Sequence, residues 1–160
     1  MEEKIVGKDF PWEKQREMLI ERVSMKLPQL YQNLVATYGP EKGRKVYDDI
    51  FEVNFVKRSK VFFGKDIGDI MMAEVDIFPA MGWKIWIDKK DEADGPAWYE
   101  HLELCPHWES TKKHKLPDPC DLVCNMDCKM GQKYKVGNWE RLKHMPSGDS
   151  ECLFRITRAK

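Results

Sequence analysis

The apolar residues of this chain first turn from a helical period to a strand period between residues 78 and 83, and that change restricts the fold more than any other feature. Before it the spacing is helical. From Pro11, a residue suited to a first helical turn, to Lys26, the positions Trp12, Met18, Leu19, Arg22 and Val23 mostly follow a 3.6-residue pattern. Pro28 restarts the chain, and Leu30, Leu34, Val35 and Tyr38 form a second stripe that Gly39-Pro40 closes. A third helix is predicted from about Glu41 to Phe63, stopped by Gly64, with Val46, Tyr47, Ile50, Phe51, Val53, Asn54 and Val61 along it. These stripes read as scaffold facing a core, with the N-terminal helices also offering a homodimer surface. Residues 66–78, DIGDIMMAEVDIF, hold the consecutive Ile70, Met71 and Met72, which favours a packed helix over a strand, and Phe78-Pro79 ends it.

After residue 83 the period becomes two. WKIWID (83–88) sets Trp83, Ile85 and Ile87 on one strand face, and Lys84, Trp86 and Asp88 on the other. KKDEADGP reads as a turn. AWYEHLELC (97–105) alternates again, with Trp98, Glu100, Leu102 and Leu104 opposite Tyr99, His101, Glu103 and Cys105. A short helix at 107–113 and the loop HKLPDP lead to a longer helix running to about Lys135, with Asp118 as its cap and Pro119 in its first turn. GNWERLKHM and ECLFRITR then form a hairpin around Pro146-Ser147-Gly148-Asp149. Helices first, then an antiparallel sheet with inserted helices, is an α+β pattern. At 160 residues the chain suits one domain, with 1–64 as helical scaffold and 65–160 carrying the sheet and the cysteines.

The 27 basic and 27 acidic residues cancel and form no long block of one sign, which argues against a nucleic-acid partner and against a polybasic membrane patch. The first residues lack the apolar region of a signal peptide and no stretch reaches membrane-span length, so the cytoplasm is the expected location. Five cysteines are an odd number for a disulfide framework and fit reduced thiols available for metal or chemistry.

Three of those thiols, Cys120, Cys124 and Cys128, are spaced by four in PCDLVCNMDCKMG, with Asp127 between the last two. A helix rises 1.5 Å per residue, so Cys120 and Cys128 would lie about 12 Å apart along the axis and one ion cannot take all three. Adjacent members are neighbours on the helix surface, and Asp127 stands three residues after Cys124, where a carboxylate can orient a ligand, a water or a proton near the thiol. Cys105 at a strand end, with His107 two residues on, and Cys152 in the last strand are placed to converge with Cys124. Thiolates with an imidazole suit zinc or another thiophilic metal, although no CxxC pair of a zinc ribbon is present. Taken one at a time, each thiol is as readily a small buried core residue.

The order CPHW, then CDLVC with Asp127 three residues later, Gly131, and finally GDSECLFRI resembles the L-2-amino-thiazoline-4-carboxylic acid hydrolase family over about 50 residues. The correspondence carries Cys105, Cys120, Cys124, Asp127 and Cys152; Cys128 and His107 fall outside the family pattern. It implies a hydrolase opening a small heterocyclic or sulfur-containing substrate at a cyclic C–N bond. The same segment is more distantly similar to vinyl-4-reductase-like domains, which implies instead a non-catalytic module that binds a small molecule or a metal. Two mechanisms fit the side chains. In one, Cys105, Cys124 and Cys152 hold zinc, whose open position activates water while Asp127 or His107 moves protons. In the other, the Cys124 thiolate attacks the ring carbon with Asp127 or His107 assisting, although Cys120 is nearer a helix N-terminus. His101, His114 and His144 read as packing or solvent residues. Trp83, Trp86, Trp98, Trp108 and Trp139 read as core or as the walls of a pocket for a small ligand.

Overall fold

A computed structural model describes residues 7–159; the first six residues, which open the predicted scaffold and the stretch read for a signal peptide, and Lys160 lie outside it. Three helices come first: α1 (Trp12–Ser24), α2 (Lys26–Tyr38) and α3 (Pro40–Ser59). Helix α3 ends four residues earlier than its apolar pattern predicts, because a 3₁₀ turn at Lys60–Phe62 tightens the chain before Gly64, whose φ of 77° suits a residue without a side chain. Its buried line is Tyr47, Phe51 and Phe55, at i, i+4 and i+8. Val53 and Val61, expected on that line, are exposed because their positions turn away from it.

Helix α1 departs further from expectation. Trp12, Met18, Leu19 and Val23 lie on the surface, Trp12 at 64% exposure, because α1 is an outer layer whose inward positions are Ile20 and Ser24. Residues 66–78 settle as helix α4 (Ile67–Ile77), started by the Asp66 carboxylate, which accepts the Gly68 N–H at 2.9 Å. Ile67, Ile70 and Met71 are its buried side chains.

The four strands, β1 (Lys84–Glu92), β2 (Gly95–Leu104), β3 (Asn138–Lys143) and β4 (Cys152–Thr157), form one antiparallel sheet in the order β1-β2-β4-β3. Helix α5 (Pro106–His114) follows β2, and helix α6 (Asn125–Lys133) precedes β3. The register stacks Ile85, Leu102 and Cys152 in one row, Ile87, Glu100, Phe154 and Arg141 in the next, and Trp98, Ile156 and Trp139 in a third. This is the face that packs against the helices, since Leu102, Cys152, Phe154 and Ile156 belong to the same core as Tyr47, Phe51, Met71, Leu122 and Met126. Close approach depends on small residues. A methyl group at Gly68 would meet the Trp98 ring at 2.7 Å, and one at Gly131 would strike Trp139. The fold is α+β, with helices covering one face of the sheet.

Candidate active site between the sheet and the cysteine helix

The cysteine segment is not one regular α-helix. Asp118 accepts the Cys120 N–H at 2.8 Å, but the chain then makes a π-helical turn over Cys120–Cys124, where the Asn125 N–H reaches back five residues to the Cys120 carbonyl. Only after that does α6 begin, and it ends at Lys133. Such wide turns leave backbone groups for other partners. Here the Tyr47 hydroxyl donates to the Leu122 carbonyl at 2.7 Å. Along the same side of α3, Arg44 donates to Asp121 at 2.5 Å and Arg58 to Asp127, so one face of α3 grips the whole segment.

That grip holds Asp127 within electrostatic reach of two other carboxyl groups. Glu100 stands on the inner sheet face between Ile87 and Phe154 and is 5% exposed. Glu74 reaches it from α4 within hydrogen-bonding distance, and Asp127 is near enough for its charge to act on both. Burial raises Glu100 to about 7. Burial, then the Glu100 charge and the shared hydrogen bond, drive Glu74 well above the usual carboxylate range. Both carboxyls are raised, so the pair retains a proton to higher pH than either group would in water. One Glu74 oxygen is buried without a protein partner. Asp127 is raised to about 6 by its dense surroundings, opposed by Arg58. It also keeps solvent access, with 36% of its side chain exposed, which weakens the effect of burial. Arg58 itself rests over the Phe51 and Phe55 rings, 5.7 and 5.4 Å from their centroids.

The thiols form a second group at the other end of the segment. All five cysteines are unbridged. Cys120, expected to have a supporting role, is the member common to the group: it is hydrogen-bonded to Cys124 and close enough to influence Cys105 and Cys152. Cys105 caps α5, accepting the Trp108 N–H at 3.5 Å, and Cys152 accepts the Met145 N–H at 3.4 Å. Burial pushes Cys105 up to about 12 and raises Cys152; the Cys120 contact and then burial raise Cys124. These are protonated thiols at neutral pH. Among the described residues no three His, Cys, Asp or Glu side chains come close enough together to hold a metal ion. Cys105, Cys124 and Cys152, the expected zinc ligands, are not gathered into such a group as the side chains stand.

His107 faces elsewhere. Its Nδ1–H donates to the Ser24 carbonyl at 2.9 Å, its ring meets Trp83 edge-on at 5.1 Å, and burial lowers its pKa. It fastens α5 to the end of α1. His101 stacks on Trp86 on the outer sheet face, His114 contacts Glu21, and His144 contacts Ser147. The tryptophans do not wall one pocket: Trp98 and Trp139 pack on the core, Trp83 against Phe78, and Trp86 is exposed. Cys128, outside the four-thiol group, is raised by burial to about 11 and lines an open cleft of about 360 Å³ between α6 and β3.

The profile of the family described as L-2-amino-thiazoline-4-carboxylic acid hydrolase matches residues 17–156, nearly the whole chain. The chain belongs to that hydrolase family. No curated protein matches it. Within the thiazoline-carboxylate hydrolase family match lie Glu74, Glu100, Asp127, Arg58 and all five cysteines. Sequence reading singled out Asp127 and the thiols but passed over Glu100, Glu74 and Arg58. Each had a signal: Glu100 is the one acid on the face Trp98-Glu100-Leu102, while Glu74 and Arg58 continue the buried helical lines Ile67-Ile70-Met71 and Tyr47-Phe51-Phe55.

Proposed function

We propose that the protein hydrolyses L-2-amino-thiazoline-4-carboxylate or a close cyclic analogue, with Glu74, Glu100 and Asp127 as its acid–base machinery. The family match supports the substrate class. The observation that carries the mechanism is the convergence of Glu74, Glu100 and Asp127 from α4, β2 and α6, with Asp127 raised to about 6 and Glu100 to about 7. Carboxyl groups that titrate near neutrality can both take and give protons at working pH.

In this reading Asp127, the most solvent-accessible of the three, takes a proton from the water that adds to the ring carbon between nitrogen and sulfur. The C=N bond becomes single and the ring nitrogen gains a proton. The tetrahedral centre then collapses: a C=O bond forms, the C–S bond breaks, and sulfur leaves with a proton supplied through the Glu74–Glu100 pair. Of the two protons of water, one ends on nitrogen and one on sulfur, giving an open-chain ureido thiol. The amidine-like head of the substrate is basic, and a site holding carboxylates suits its cationic form. Cys124, protonated and bonded to Cys120, supports this chemistry by packing rather than by attack.

The test is to incubate the purified protein with L-2-amino-thiazoline-4-carboxylate, remove the protein and titrate free thiol. Thiol release by the native protein, reduced by about 100-fold or more in Asp127→Asn, is the expected result. Lack of release by the native protein would sink the proposal.

A further inference from the structure

The cleft of about 360 Å³ between α6 and β3 is lined by Asn125, Cys128, Lys129, Gln132, Trp139 and Arg141, none of which the acid–base scheme uses. Its electrostatics are lopsided. Arg44, Arg58, Arg155 and Arg158 are each paired with a carboxylate, whereas among the described residues Arg141 is paired with none. One guanidinium nitrogen of Arg141 donates to Asn125 Oδ1 at 2.7 Å, and its guanidinium carbon lies 5.3 Å from the centre of the Phe154 ring. Asn125 and Phe154 thus fix the guanidinium plane. Its Nε–H is buried and has no protein acceptor. A guanidinium fixed in this way beside an open cleft, with no carboxylate among the described residues paired to it, is a receptor for a planar anion, because its fork matches the two oxygens of a carboxylate.

The sheet register relates the cleft to the carboxyl groups. Arg141 is the direct cross-strand partner of Phe154, which is in turn the partner of Glu100, so cation and acid share one row of the sheet. Cys128 stands between them, close enough to feel the charges of Arg141, Asp127 and Glu100. A cation in the cleft and an acid beside it thus lie along one row of the sheet, with Phe154 between them.

We propose that Arg141 binds the carboxylate of a small zwitterionic ligand in this cleft, directing the cationic end of that ligand past Cys128 toward Glu100 and Asp127. This deepens the hydrolase reading and rests on it for the identity of the substrate, since 2-amino-thiazoline-4-carboxylate carries a carboxylate at one end and a basic N–C–N unit at the other. Arg141 would then set specificity for the acid over its neutral derivatives.

Calorimetric titration of the full chain with L-thiazolidine-4-carboxylate and with its carboxamide tests the assignment. The native protein should bind the carboxylate about 10- to 100-fold more tightly, the range for a charge-assisted pair. Arg141→Gln should bring the two ligands to within about twofold, and Arg141→Lys should restore part of the preference. In turnover, Arg141→Gln should raise KM far more than it lowers kcat. Lack of preference in the native protein, or a preference that survives in a folded Arg141→Gln variant, overturns the proposal. If that variant does not fold, the native comparison and Arg141→Lys decide. Normal ring opening with an unchanged KM in Arg141→Gln removes this role and leaves the hydrolase reading standing. A carboxylate preference lost in the variant, without ring opening by the native protein, does the reverse.

Discussion

The two polar groups buried along the cysteine segment experience the same physics and end in opposite chemical states. At one end Glu74, Glu100 and Asp127 lose water; at the other Cys105, Cys124 and Cys152 do the same. Both sets shift upward, because burial disfavours the charged form of any acid. A carboxyl begins near 4, so the shift carries Asp127 to about 6 and Glu100 to about 7, within reach of neutral pH. A thiol begins near 9, so the same shift carries Cys105 to about 12 and out of play. Burial activates one group and silences the other. The more conspicuous sequence motif therefore has the weaker claim to the chemistry.

The largest effect that can break this contrast is on turnover. Glu100→Gln keeps the shape of the side chain but removes the group that titrates, and should lower the rate of ring opening by about 100-fold or more in the thiol-release assay. Cys124→Ser should stay within about fivefold of the native rate. Reversal of that order would move the active centre to the thiols.

Next is thiol reactivity. With its pKa raised from 9.0 to about 12, Cys105 should carry about a thousandth of the ordinary thiolate fraction at pH 7.5. Iodoacetamide labelling followed by peptide mass analysis should therefore be at least about 100-fold slower at Cys105 in the folded protein than in urea. Rapid labelling there would place the thiols among the reactive groups.

Stability against pH comes third. The folded-state pKa of Glu100 lies above its unfolded value, so the folded chain holds this proton more tightly. The stability it contributes is complete below about pH 4.5 and is lost as pH rises through about 7; Glu74, raised as well, adds a contribution of the same sign. The melting temperature should fall between pH 5 and 8, by an amount reflecting on the order of 1–3 kcal/mol. Glu100→Gln should flatten that fall and melt higher than the native protein at pH 8.

The smallest effect concerns Arg58, whose charge opposes the upward shift of Asp127. Arg58→Met should move the acid limb of the rate profile to higher pH by about half a unit to one unit, the exposure of the pair limiting the change. An acid limb that stays in place would detach Asp127 from the rate.

Much of the fold could be read from local pattern. The change of period marked the boundary between scaffold and sheet, and the alternations around Glu100 and Phe154 reappear as paired strand faces. The stop at Gly64 and the turn at Gly148, both with positive φ, follow from local chemistry. Helix α1 was misread because amphipathic spacing does not say whether a neighbour covers the apolar side; in the folded chain its inward positions are Ile20 and Ser24. The π turn at Cys120–Cys124 was likewise hidden, since its Leu122 carbonyl is bound by Tyr47, 75 residues away.

The candidate site divides in the same way. The sequence by itself determined that the chain is α+β, that Cys124 and Asp127 lie near each other, and that Glu100 occupies an inward strand position, because these follow from periods of two and 3.6 within single elements. Only the tertiary structure decided that Glu74 reaches Glu100 with Asp127 near enough to act on both, that Arg58 faces Asp127, that Cys120 joins the other thiols and that His107 turns toward Ser24. Those outcomes depend on where α3, α4 and α6 cross the sheet. A pKa depends on that crossing as well, because it is set by water excluded and charge brought close from elsewhere in the chain.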